Sequence, residues 1–262
     1  MQRSPGLTSH MRFASLLLLL FATSLYAQTQ KIFSNIDEQS GWESCSTCAG
    51  GANSTTNYSG PTIVSSPSLD GRAAQFSFTA PLLPYTNALW WRQELQGAAD
   101  AAEIKTYRNF RYDLWYYIKD VQASQALEFD VNQTICDGTC PPPTPTTPTT
   151  SMRYIFGTEC NLKNTKTWRI WDGVKGWVNT NIACTVTPYK WIHLVYEFQR
   201  AADRVYYISL TIDGRKYYVN RRQKPYKLNV PADDLNVAFQ MDGTQEGTPY
   251  STWLDKIMLT VW

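Results

Sequence analysis

The stretch Glu128-Phe-Asp-Val-Asn-Gln133 brings two carboxylates within three positions of each other. Read as a β-strand, it alternates between two faces. Leu127, Phe129 and Val131 point one way and are apolar, so they belong to a core. Glu128, Asp130 and Asn132 point the other way. Three further stretches read alike. In Ala88–Leu95, the residues Leu89, Trp91 and Leu95 are expected inside, leaving Trp90, Arg92 and Glu94 outside. In Asn109–Lys119, Phe110, Tyr112, Leu114 and Tyr116 form the inner face, and Arg111, Asp113, Trp115 and Tyr117 the outer. In Asn236–Asp242, Val237, Phe239 and Met241 alternate with Ala238, Gln240 and Asp242. On one shared sheet, these strands would gather Trp90, Arg92, Glu94, Asp113, Trp115, Glu128, Asp130, Asn132, Gln240 and Asp242 on its outer face.

That set suits a sugar. Flat aromatic rings cover the apolar C–H face of a pyranose, while carboxylates and amides accept from and donate to its hydroxyls. The expected function is binding of an extracellular polysaccharide, with Trp90 and Trp115 stacking and the polar groups orienting the chain.

The elements that must hold these residues are strands. After residue 30 no long apolar pattern recurs at helical spacing; short period-2 segments rich in Tyr, Trp, Val and Ile recur instead. Asp213-Gly214 between two such runs is a two-residue hairpin signal. A dozen short strands in one stretch predict an all-β fold, two antiparallel sheets packed as a jelly-roll sandwich. Residues 28–262 are expected to form this single domain. The segment Pro141–Thr150 (PPPTPTTPTT) is read as a loop interrupting it, because proline offers no N–H to a ladder.

The N-terminus reads as a secretory signal peptide, residues 1–27. Arg3 and Arg12 precede an apolar run from Phe13 to Phe21, and small residues lead to a cleavage point after Ala27. The run falls short of the roughly 20 residues that span a bilayer. The chain carries 24 Lys+Arg and 22 Asp+Glu; the leader would remove two arginines and no acid, leaving a neutral protein. Neither nucleic acid nor an anionic membrane surface is an expected partner for it. The expected location is secreted, extracellular or periplasmic. All six cysteines (Cys45, Cys48, Cys136, Cys140, Cys160 and Cys184) follow the leader, and an even count in an exported chain reads as disulfides. Many pairings are open; local pairing, Cys45–Cys48, Cys136–Cys140 and Cys160–Cys184, is the expectation taken. Zinc is disfavoured, because His193 is the one histidine left after the leader.

Two segments carry a resemblance. Trp191-Ile-His-Leu-Val-Tyr-Glu-Phe-Gln-Arg200 followed by Val205–Gly214, and the closing Trp253–Trp262, resemble strands of the concanavalin A-like lectin/glucanase superfamily, including its laminin-G-like members. The resemblance covers about 70 residues of the C-terminal third and implies a jelly roll whose concave face meets sugars. Its laminarinase-type hydrolases carry Glu-x-Asp-x-x-Glu. Here Glu128 and Asp130 match the nucleophile and its supporting carboxylate, but the acid/base position is Gln133, and an amide cannot exchange the proton. Arg92-Gln-Glu-Leu95 resembles a motif of alginate-lyase-like members, which also need a Gln-x-His strand where this chain has Glu128-x-Asp130. The balance leans away from an enzyme, with a hydrolase or lyase using Glu128 as one alternative and a self-associating structural surface protein as another. No cofactor is called for. A structural calcium would draw on Asp37, Asp242 and Asp255. Asn53, Asn57 and Asn132 head N-glycosylation triplets.

Overall fold

The computed structural model describes residues 29–48, 53, 55–137, 150–201 and 203–262. The signal-peptide reading, Cys140 and most of the Pro/Thr-rich loop lie outside the described residues. The strands are β1 (Lys31–Phe33), β2 (Trp42–Cys45), β3 (Tyr58–Val64), β4 (Ala73–Phe78), β5 (Asn87–Gln96), β6 (Asn109–Ile118), β7 (Ser124–Asp137) and β8 (Thr150–Asn161). They continue as β9 (Thr167–Asp172), β10 (Gly176–Ala183), β11 (Trp191–Ala201), β12 (Arg204–Ile212), β13 (Arg215–Gln223), β14 (Tyr226–Leu228), β15 (Asp234–Gly243) and β16 (Ser251–Val261). The α-helix α1 (Gly97–Thr106) carries the chain from β5 to β6.

These strands form two antiparallel sheets. The first runs β13-β12-β11-β6-β16-β4-β3, with β1 added on β16. The second runs β10-β9-β8-β7-β15-β5-β2, with β14 added on β8. The architecture is a two-sheet jelly-roll sandwich, and the order shows why a sequence pattern encodes it. Neighbours in each sheet are mostly distant in sequence, so each strand must present its own apolar stripe to the partner sheet.

Aromatic rings dominate the layer between the sheets. Phe110 of the first sheet meets Phe156 of the second at 4.7 Å between centroids, and Tyr116 meets Phe129 at 5.2 Å. Phe76, Trp90 and Phe239 form a cluster with contacts of 5.0 and 5.2 Å. Such pairs add about 0.5–1.5 kcal/mol each beyond area burial. The hairpin at Asp213-Gly214 has positive φ at both residues (47° and 81°), as its type I′ turn requires.

Disulfides join Cys45 to Cys48 and Cys160 to Cys184. The second pair ties the end of β8 to the strand end after β10, a strap across the rim of the second sheet. No helix among the described residues is long and apolar enough to cross a membrane.

Candidate functional site

The outward face of the second sheet carries the site, and strand register builds it row by row. In the middle row, Trp91 of β5 pairs with Ala238 of β15, Ala238 with Asp130 of β7, and Asp130 with Gly157 of β8. Trp171 of β9 and Trp177 of β10 close the row as another cross-strand pair. Small residues thus occupy the floor on both sides of Asp130, and tryptophans stand at either end. The result is a cleft of about 420 Å³ lined by Trp91, Gln93, Asn132, Arg153, Trp171 and Trp177, among others, with Glu128, Asp130 and Gln240 in it. The floor is low because Gly157 has no side chain. A Cβ there would stand 3.1 Å from Asp130 Oδ1 and 3.2 Å from Trp171 Cβ.

The adjacent rows supply polar groups. On one side, Gln240 Nε2 donates to Glu128 Oε1 at 2.6 Å and to Asp242 Oδ1 at 3.0 Å. Glu128 faces Glu159 across the β7–β8 ladder, and Glu159 forms a forked ion pair with Arg169 and accepts from Asn161 Nδ2 at 2.7 Å. On the other side, Asn132 Nδ2 donates to Asn236 Oδ1 at 3.0 Å, and Asn236 Nδ2 to Asp234 Oδ1 at 3.1 Å. Trp171 and Trp177 meet edge to face at 5.2 Å, with the Arg169 guanidinium over Trp177 at 5.5 Å.

Three buried atoms in the cleft, Asp130 Oδ1, Gln93 Oε1 and Trp171 Nε1, form no hydrogen bond. Buried polar atoms in this state cost free energy until something meets them. Electrostatics points the same way. Burial pushes the Asp130 and Asp242 carboxyls up to about 7, with the Glu159 charge adding to it. Burial, then the charges of Asp242, Asp130 and Glu159, pushes Glu128 well above the usual carboxylate range. The cleft holds more acid than Arg169 and Arg153 balance, and Arg153 is engaged by Asp234 at 3.4 Å.

Placement of the expected residues divides by strand. Glu128, Asp130, Asn132 and Gln240 come together in the cleft, with Asp242 beside Gln240. Trp90 does not: it is fully buried in the core, and Trp91 is the ring in the cleft. Leu89 likewise lines the cleft and not the core. Arg92 pairs with core-facing Val237, and it binds Glu94 and the Ser40 carbonyl, away from the cleft. The cause is a bulge. Leu95 pairs with Leu235 but Gln93 with Asn236, so Glu94 is an extra residue and the alternation reverses across it. Asp113 and Trp115 have the inside–outside phase expected of β6, but β6 belongs to the first sheet. There His193 Nε2 lies 2.7 Å from Asp113 Oδ1 and its ring stacks on Trp115 at 4.5 Å, on the far side of the sandwich.

The enzyme motifs are not assembled. β7 pairs with β8 in unbroken register, so position 133 faces opposite to 128 and 130. Gln133 is fully buried, and its Nε2 donates to the Ile104 and Tyr107 carbonyls at 2.6 and 3.0 Å, closing the C-terminal end of α1. Of the lyase-like set, Arg92 and Glu94 bind each other and His193 is on the other sheet.

The calcium carboxylates also separate. Asp242 belongs to the cleft sheet, whereas Asp37 and Asp255 meet at a bulge in β16. Asp37 Oδ1 accepts from Ile257 N at 2.8 Å, and Asp255 Oδ2 from Leu69 N at 2.6 Å and Ser68 Oγ at 3.0 Å. Asp37 Oδ2 and Asp255 Oδ1 are buried without partners. No group of three His, Cys, Asp or Glu among the described residues is arranged for a metal; these two hard oxygen donors are what a calcium would draw on, of the roughly six to eight oxygens it takes.

The residues that sequence reasoning missed are Trp91, Gln93, Arg153, Gly157, Trp171 and Asn236.

No protein-family model matches the chain, and no curated protein matches it. Among solved structures it is similar to a cellulose-induced protein, Cip1, at 7% identity and TM-score 0.45, covering 84% of this chain and 90% of that one. It is similar to a prokaryotic β-1,3-1,4-glucanase (lichenase) derived from a mouse hindgut metagenome, at 11% identity and TM-score 0.40, covering 89% and 99%. Basic winged bean lectin, solved with Tn-antigen, is matched at 11% identity and TM-score 0.38 over the same shares. At these scores the likenesses carry no argument about ligand or chemistry.

Proposed function

We propose that the protein binds a neutral polysaccharide outside the cell, without cleaving it, in the cleft of the second sheet. The observation that carries this reading is the middle row: Asp130 on a floor of Ala238 and Gly157, between Trp91 and the Trp171–Trp177 pair. A pyranose lying over the floor would set its C–H faces against indoles and offer hydroxyls to Asp130 Oδ1 and Gln93 Oε1, which lack donors, and an acceptor to Trp171 Nε1. The disulfides support an exported protein. The unbalanced carboxylates of the cleft disfavour uronate or sulfated chains there. Asp37 and Asp255 are the residues that would hold a structural calcium, which would supply the countercharge their orphan oxygens lack and fasten the 3₁₀ turn at Ile36–Glu38 to β16.

The test is a panel of neutral polysaccharides offered to the protein, with binding and reducing-end release read together. Binding without release, weakened by Trp91→Ala and by Asp130→Asn, is the expected result. Release abolished by Glu128→Gln would make the protein a hydrolase instead. Failure to bind any glycan would leave the self-associating surface protein standing.

A further inference from the structure

Residues Arg215–Lys227 contain six Lys or Arg and no Asp or Glu, in a chain whose total balance is only +2. They form β13, the outermost strand of the first sheet, and then cross to β14 on the second sheet. The crossing is close-packed: Gly173, in the turn between β9 and β10, lies so near that a Cβ would meet the Pro225 carbonyl oxygen at 2.5 Å. Tyrosines interleave with the cations. Lys216 lies over Tyr218 at 5.5 Å, Arg215 over Tyr217 at 4.9 Å, and Arg222 over Tyr206 of the neighbouring strand at 5.5 Å. Tyr218 is 70% exposed and Tyr226 47%. Lys216 is neutralised by Glu197. Arg215, Arg222, Lys224 and Lys227 are exposed and enter no ion pair among the described residues.

Charge on an edge strand serves to keep sheets from pairing edge to edge, and one or two lysines or a bulge suffice for that. β13 already has a bulge, at Val219-Asn220, where Asn220 takes a φ of 49°. With Lys216 paired to Glu197, the other five cations of a segment that contains no acid create a single-sign field, and it runs past the strand to Lys224 and Lys227. A field of this kind attracts a polyanion. Guanidinium groups held over tyrosine rings are ordered before the ligand arrives, which lowers the entropy cost of the contact.

We propose that the β13 edge and the crossing to β14 form a second binding site, which docks a linear acidic polysaccharide carrying carboxylate or sulfate groups. Arg215, Arg222, Lys224 and Lys227 would meet the anions, and Tyr218 would cover the sugar faces between them. The disulfides favour an oxidising compartment, and outside the cell such polymers, not nucleic acids, are the abundant polyanions. The site is separate from the cleft and opposite to it in charge, so it stands whether or not the cleft binds a neutral chain.

The test titrates the full chain with dextran sulfate and with polygalacturonate, using neutral dextran, duplex DNA and anionic lipid vesicles as comparison probes, at several salt concentrations. Both acidic polysaccharides are expected to bind, more weakly as salt rises because counterions are displaced. The variant Arg215→Ser/Arg222→Ser/Lys224→Ser/Lys227→Ser is expected to lose at least about tenfold in affinity with an unchanged melting temperature. Arg215→Lys/Arg222→Lys should retain most of the binding, which separates lost charge from lost fold. Absence of binding at low salt, or full binding by the serine variant, overturns the proposal. Aggregation of the serine variant with polyanion affinity unchanged assigns the charges to edge protection. Tighter binding to DNA or vesicles than to either polysaccharide overturns the assigned partner.

Discussion

Trp90 and Trp91 are consecutive in β5 and serve opposite sides of the same sheet. Trp90 is fully buried, with Phe76 at 5.2 Å and Tyr58 at 5.6 Å, while Trp91 pairs with Ala238 and lines the cleft. Their truncations should therefore fail differently. Trp90→Ala empties a core site and is expected to cost about 3–5 kcal/mol of stability, read by denaturant unfolding. Trp91→Ala leaves the core intact and should lower glycan affinity roughly tenfold with little change in the unfolding midpoint. Equal effects on stability would contradict the placement.

Gly157 offers a sharper probe of the cleft floor. An alanine methyl would sit 3.1 Å from Asp130 Oδ1, 3.2 Å from Ile155 Cγ2 and 3.2 Å from Trp171 Cβ. Gly157 has ordinary strand dihedrals, so the backbone accepts alanine and the cost is crowding alone. Gly157→Ala should raise the floor and weaken a docked sugar by about 1–3 kcal/mol, measured by calorimetric titration against the unaltered chain. An unchanged affinity would move the ligand off the middle row.

How far these residues were legible in the sequence depended on phase. β7 and β15 alternate cleanly from Leu127 and Val237, so Glu128, Asp130, Asn132 and Gln240 were placed outward correctly. In β5, Leu95 was rightly expected inside, but counting back by twos crosses the bulge at Glu94 and reverses every residue before it. Leu89-Trp90-Trp91 is apolar throughout and offered no second phase to correct the error. In β6 the phase was right and the sheet was not: nothing in Asn109–Ile118 tells which of two stacked sheets it joins, because that is decided by pairing with β11 and β16, far along the chain. The fold class was readable for a simpler reason, since period-2 patterning survives even where strand order is unknown.

Gln133 ends a Glu-x-Asp-x-x-Gln pattern that resembles the hydrolase motif Glu-x-Asp-x-x-Glu, yet it faces into the sandwich. Restoring the carboxylate by Gln133→Glu should not create hydrolysis. It would place an anion against the Ile104 and Tyr107 carbonyls, which now accept from Gln133 Nε2. The expected outcome is a loss of about 3–5 kcal/mol near neutral pH, with no reducing ends released from any glycan. Appearance of activity would show that β7 shifts register in solution.

Calcium should stabilise the fold through Asp37 and Asp255, whose second oxygens have no partner. Millimolar calcium is expected to raise the melting temperature by a few degrees and chelation to reverse it, while Asp255→Asn should abolish the response. A response that survives Asp255→Asn would place the ion elsewhere.

The acids of the cleft set the direction in which stability depends on pH. In the folded protein Asp130 and Asp242 are pushed up to about 7, chiefly by burial; unfolded, they titrate near about 4. Between those values the folded state holds protons that the unfolded state has released. Stability must then fall as pH rises through the window, because rising pH favours the unfolded state, which binds fewer protons there. Below about pH 4 both states are protonated and this contribution is flat. Asp130→Asn removes one such proton site, so its melting temperature should decline less between pH 4 and 7 than that of the unaltered chain, and thermal melts across the window measure the difference. A bound neutral glycan whose hydroxyls donate to Asp130 favours the ionised carboxyl and should flatten the same slope. Parallel slopes for variant and parent would mean that Asp130 keeps its charge in the free protein and that the cleft is already satisfied by water.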